Sequence, residues 1–209
     1  HSYRTQKEVS HLYFMIDPDL LRLEKMMVLI PRFTPPGSGL LVRITEKAPK
    51  EESHGRLMRE TMRYIHNPDF LGRVSEDQKE RKNGGMTYRG ERHKEVFERE
   101  VRKRKNSTAA MLCALYLLTA DCRLWSRVRP YIHTTGIQFQ GVQLGRISAD
   151  AYTLYMVAKD LYCGTKHITI RDLADKEIVS SQLFGMVCEA MTLRRYGLAV
   201  CDAEIKAKG

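Results

Sequence analysis

The sequence predicts a mainly α-helical protein, with a compact helical C-terminal domain over residues 86–209 and a small α+β N-terminal portion over residues 1–85 packed against it. Three observations predict this class. Apolar residues recur at helical spacing in successive segments, whereas period-two alternation is confined to short stretches. Capping and helix-breaking residues stand where those segments start and stop. Hydrophobic residues make up 43% and charged residues 29% of the 209 positions, ordinary globular usage that sustains a core without covalent staples.

Taken in order, Val9, Leu12, Tyr13 and Ile16 mark a short helix over 5–16. Asp17 then caps a second helix, with Pro18 in its first turn, where the missing N–H has no partner to lose, and Pro31 ends it after Ile30. Pro35-Pro36-Gly37-Ser38-Gly39 is a loop by composition. Leu40, Val42 and Ile44 alternate with Arg43 and Thr45, the pattern of a half-buried strand over 40–45. Leu57, Met58, Met62 and Ile65 return to helical spacing and stop at Asn67-Pro68. From Gly72 to Gly90 the chain is polar, and Asn83-Gly84-Gly85 marks the expected boundary between the two portions.

Glu91 to Lys105 reads as a solvated helix with a narrow seam of Val96, Phe97 and Val101, laced by Glu95/Arg99, Glu98/Arg102 and Glu100/Arg104 at i,i+4. Asn106 or Ser107 caps the next helix, 107–119, whose Ala, Leu and Tyr content makes it a central core element. Arg123 to Arg129 is a further short helical piece before Pro130. Residues 133–147, with Gly136, Gly141 and Gly145 and with Ile137, Phe139 and Val142 alternating, are a loop or a short extended element. Ser148 caps a buried helix from Ala149 to Tyr162, followed by Gly164. The last helix, about 179–196, gathers Val179, Leu183, Met186, Val187, Ala190, Met191 and Leu193 on one face, with Arg194 and Arg195 in its last turn and Gly197 just past it.

Charge is the strongest functional signal. The net charge is +10, and residues 79–105 hold eleven Lys or Arg against five Glu. A polyanionic partner follows, with RNA or a ribonucleoprotein first and an acidic protein surface second. Lys79, Arg81, Lys82, Arg89, Arg92, Lys94, Arg99, Arg102, Lys103, Arg104 and Lys105 are the expected nucleic-acid-binding residues. The competing reading is a solvated helix whose Glu residues satisfy Arg99, Arg102 and Arg104 locally. A second group, Arg123, Trp125, Arg127, Arg129 and Tyr131, pairs guanidinium groups with rings that stack on an unpaired base, although a lone Trp is more often a core residue.

Other chemistry is thinly represented. Glu91, His93 and Glu95, with Tyr88 and Lys94, are the best set for phosphodiester cleavage, but His93 lies off the face that the two carboxylates share. His54 and His66 are more than three turns apart, too far to share a metal. Asp172 and Asp175 suit capping better than a cation. Thr169 to Tyr196 has the outline of a helix-turn-helix, yet its turn, Asp175-Lys176-Glu177, lacks the usual Gly. Nucleotide-binding, zincin and α/β-hydrolase signatures do not occur. The five cysteines lie at wide, irregular spacings and are expected to be reduced structural thiols, with no metal and no cofactor. The longest apolar run, Ala109 to Leu118, falls short of the roughly 20 residues a membrane span needs. No secretory pattern is read at the start, where His1-Ser2 is set aside, so a cytoplasmic location without membrane association is expected.

Glu91-Arg92-His93 at a helix start, the Ala114-Leu115-Tyr116-Leu117-Leu118 segment, Ala158-Lys159-Asp160-Leu161-Tyr162 and Arg195-Tyr196-Gly197 together resemble a small uncharacterised helical family of bacterial plasmids, conjugative elements and phages. The resemblance spans residues 88–198 and transfers no active site. It implies a mobile-element accessory protein, with inhibitors of CRISPR–Cas effectors as one such class, acting by occupancy rather than turnover. Two alternatives stand beside it: a metal-dependent nuclease acting on RNA or DNA, and a protein-binding adaptor without nucleic-acid affinity.

Overall fold

A computed structural model describes residues 54–81, 86–104 and 107–197. They form a mainly helical structure in which α1 (His54–Met62) and α2 (Pro68–Glu80) precede α3 (Glu91–Arg102), α4 (Ala109–Thr119) and α5 (Cys122–Val128). A 3-10 turn at Arg129–Tyr131 leads into a long connection, followed by α6 (Ala149–Cys163), the one-turn α7 (Ile170–Ala174) and α8 (Ser181–Tyr196). The expected helix 5–16, the helix after Asp17 and the strand 40–45 lie outside the described residues.

Local chemistry accounts for the boundaries. Thr108, Ser148 and Ser180 accept from the backbone N–H three residues on, opening α4, α6 and α8. Thr169 and Asp172 form a reciprocal capping box, so Asp172 serves as the cap its position suggested. Gly164 ends α6 at φ 76°, a conformation open to Gly at little cost. Helix α2 corrects the expectation of a polar connector after Gly72. Asn67 caps it, Pro68 occupies its first turn, and Phe70, Arg73 and Val74 form a narrow buried stripe that the surrounding polar residues conceal in the sequence.

Helix α4 is buried along its whole length from Met111 to Thr119, as is α8 from Leu183 to Arg195. The two pack on each other, α6 packs against both, and α3 covers another side of α4. Helices α1 and α2 lie on α8, and one hydrophobic cluster runs from Leu57, Met58 and Phe70 through Phe97 and Leu115 to Leu154 and Phe184. The described residues on either side of the expected boundary at 85 therefore share one core. Residues 131–138 make a tight hairpin closed by the isolated bridge Ile132–Ile137, which resolves the start of the 133–147 ambiguity as a short extended element.

Buried arginines tie this core together. Arg73 donates to the carbonyls of Leu173, Asp175 and Val179 at 2.8, 3.1 and 2.7 Å and lies 4.3 Å over the Phe184 ring, clamping α2 to the α7–α8 connection. Arg194 donates to the Leu161 carbonyl at 2.9 Å and Arg195 to that of Glu60 at 2.6 Å. Their place in the last turn of α8 suits the helix dipole, and tertiary packing buries both and makes them struts. Among the described residues the cysteines are free, and no helix is long and apolar enough to cross a membrane.

Candidate nucleic-acid interface

The basic run divides into three environments. Lys82 and Lys105 lie outside the described residues. Arg81 turns inward: it donates to Asp77 Oδ2 at 2.7 Å, to Thr87 Oγ1 at 2.9 Å and, in a very short contact, to Glu189. Glu189 is fully buried in α8, and its other oxygen lies 2.8 Å from His54 Nε2. Burial opposes the charge on Arg81, but Glu189 and Asp77 outweigh it and hold the guanidinium above its ordinary pKa.

The cations of α3 gather around two carboxylates. Glu98 faces Arg102 at 3.3 Å and Lys94 at 3.9 Å. Glu100, 3% exposed, receives Lys103 at 2.8 Å, Arg104 at 2.9 Å and Arg99 at 3.6 Å. Burial works against its charge, and the hydrogen bonds from Lys103 and Arg104 overcome that to hold its carboxyl below the usual range. The pairs Glu98/Arg102 and Glu100/Arg104 match the i,i+4 spacing, while Arg99 turns to Glu100 instead of Glu95. These cations are thus largely engaged within the fold.

The third environment is open. Lys79 at the end of α2 and Arg92 on α3 are exposed. Arg89 reaches Asp121 at 3.6 Å and Asp150 at 3.9 Å, bringing the start of α3 beside the starts of α5 and α6.

That junction adjoins the second basic group. Arg123 and Arg127 are exposed one turn apart on α5, so they share a face, and Arg129 is exposed in the 3-10 turn that follows. The connection 139–147 folds back under them. A Cβ on Gly145 would meet the Arg127 guanidinium at 3.6 Å, and one on Gly141 would meet the Tyr131 ring at 4.0 Å; both glycines have positive φ, 60° and 85°. Exposed Arg146 follows directly. Among the described residues none of Arg123, Arg127, Arg129 and Arg146 is paired with a carboxylate.

The sequence carries a signal for this surface: between Asp121 and Asp150 there is no acidic residue at all. Both flanking acids are contacted by Arg89, and Asp121 also accepts from the Arg123 and Leu124 amides as the cap of α5. Trp125 is 8% exposed and belongs to the core. Of the two aromatic residues in the group, Tyr131 is the one left half-buried at the surface.

The set around His93 does not assemble as a cleavage site. His93 is buried; its Nδ1 accepts from the Arg89 amide at 3.0 Å, so its proton sits on Nε2, which donates to the Tyr116 carbonyl at 2.8 Å. Both nitrogens are occupied, Nδ1 at the entry to α3 and Nε2 in joining α3 to α4, and Glu91 and Glu95 face solvent. Among the described residues no three His, Cys, Asp or Glu converge as metal ligands. Comparison with known protein families, curated proteins and solved structures gives no match.

Proposed function

We propose that this protein binds RNA or a ribonucleoprotein by occupancy, through the arginine surface of Arg123, Arg127, Arg129 and Arg146, with Arg89 and Arg92 of the basic run at its edge. One observation carries the reading: four exposed guanidinium groups in a segment free of acidic residues, with the bordering carboxylates already engaged by Arg89. Among the described residues these guanidinium groups have no carboxylate to give up when a phosphate arrives, whereas Lys103 and Arg104 would first have to leave buried Glu100. Inhibition of a CRISPR–Cas effector, as a protein of mobile elements, is the narrower form of the proposal; the likeness of residues 88–198 supports it and the geometry adds nothing to it.

The test is a mobility-shift series with labelled RNA and DNA over a range of salt, with and without EDTA. Salt-sensitive binding without degradation is the expected result. EDTA-sensitive cleavage would favour the nuclease alternative, and the lack of any affinity would favour the adaptor.

A further inference from the structure

Resting on that nucleic-acid reading, we infer that the arginine surface takes a single-stranded stretch and stacks one unpaired base on Tyr131. The surface holds an aromatic ring as well as cations, and both adjoin one connection: a Cβ on Gly141 would meet the edge atom Cε1 of Tyr131 at 4.0 Å and one on Gly145 the Arg127 guanidinium at 3.6 Å. A duplex offers its phosphates to the arginines but keeps its bases stacked, so the ring would have nothing to hold.

Tyr131 differs from the tyrosines that build the core. Tyr116 donates to the Thr87 carbonyl, Tyr155 donates to the Phe139 carbonyl at 2.9 Å, and the Tyr162 hydroxyl accepts from the Ile137 amide at 3.1 Å. Among the described residues the Tyr131 hydroxyl has no such partner, and no aromatic ring or guanidinium of those residues packs against its face. Its backbone is nonetheless fixed, since its carbonyl accepts from the Gln138 amide at 2.9 Å beside the Ile132–Ile137 bridge. An aromatic ring on a fixed backbone, outside the core cluster and on the same 3-10 turn as Arg129, which among the described residues has no carboxylate partner, is the arrangement of a stacking platform.

The test compares fluorescence anisotropy of an unstructured labelled RNA with that of a duplex of equal length. The wild type is expected to prefer the single strand. Tyr131→Ala should weaken single-strand binding about tenfold and leave duplex binding unchanged. Tyr131→Phe should retain the wild-type preference, because the stack needs the ring and not the hydroxyl. Reversal at Arg123 and Arg127 should weaken both ligands. If Tyr131→Ala weakens neither ligand, or both equally, the stacking inference fails while the arginine surface stands. If the wild type binds neither, both fall together.

Discussion

His93 shows how one side chain can look catalytic in the sequence and be structural in the fold. Burial, reinforced by the charge of Arg89, pushes its pKa down to about 4 from 6.5, so the folded state resists the proton that the unfolded chain accepts. The linkage sign follows: above pH 6.5 both states are neutral there, and as pH falls from 6.5 towards 4 the unfolded state gains protons first. Stability should decline over that window by up to about 3 kcal/mol. Urea titrations between pH 7.5 and 4 should show the decline, and His93→Gln should flatten it; an equal slope in the variant would assign the effect elsewhere.

Gly185 makes a second point at this scale. A Cβ there would lie 2.6 Å from Asp77 Oδ1, and Asp77 is held by Arg81. Gly185→Ala gains about 1 kcal/mol of helix propensity but disturbs a charge-assisted hydrogen bond worth about 1.5–3 kcal/mol, so a net loss is expected in chemical denaturation. A more stable variant would show that Asp77 moves aside freely.

Between elements, the decisive feature is the polar junction of α1, α2 and α8. Glu189 is one acid in an otherwise apolar stretch, and its burial is sustained by Arg81 and the Thr87 amide at 3.2 Å, both on one oxygen; the other oxygen lies 2.8 Å from His54 Nε2 without hydrogen-bond geometry. Arg81→Met should cost about 3–5 kcal/mol, because it leaves a buried carboxylate short of its main partner. Adding Glu189→Leu should recover most of that loss, and melting curves of the single and double variants measure it. No recovery would mean that the junction contributes specific geometry beyond charge balance. The same reasoning separates the two basic groups: α3 spends its cations on Glu98 and Glu100, whereas α5 and the connection after it have no acid to spend them on.

For the molecule as a whole, that division sets which charges meet a ligand. Reversal of Arg123 and Arg127 should flatten the dependence of RNA affinity on salt by about 0.7 per lost phosphate contact. Reversal of Lys103 and Arg104 should chiefly lower thermal stability, since Glu100 loses its partners, and change affinity about twofold or less. A larger affinity loss at Lys103 and Arg104 than at Arg123 and Arg127 would return the interface to the end of α3.

Helical periodicity made α4, α6 and α8 legible, and Ser148 and Gly164 marked the ends of α6, because those signals act within a few residues of chain; the caps Thr108 and Ser180 were not legible, since the neighbouring Ser107 and Val179 offer equally good starts. The concealed α2 was not, since Phe70, Arg73 and Val74 need the faces of α7 and α8 to make a buried stripe worth forming. By itself the sequence determined a mainly helical chain with an excess of positive charge and the segments that hold it. Only tertiary structure decided that Arg81, Arg194 and Arg195 are interior struts, that Arg99 turns to Glu100 instead of Glu95, and that among the described residues the arginines of α5 and the connection after it meet no carboxylate. The reason is physical: the availability of a charge depends on which carboxylates and carbonyls lie within about 4 Å of it, and for Arg81, Arg194 and Arg195 those partners, Glu189, Leu161 and Glu60, come from distant parts of the chain.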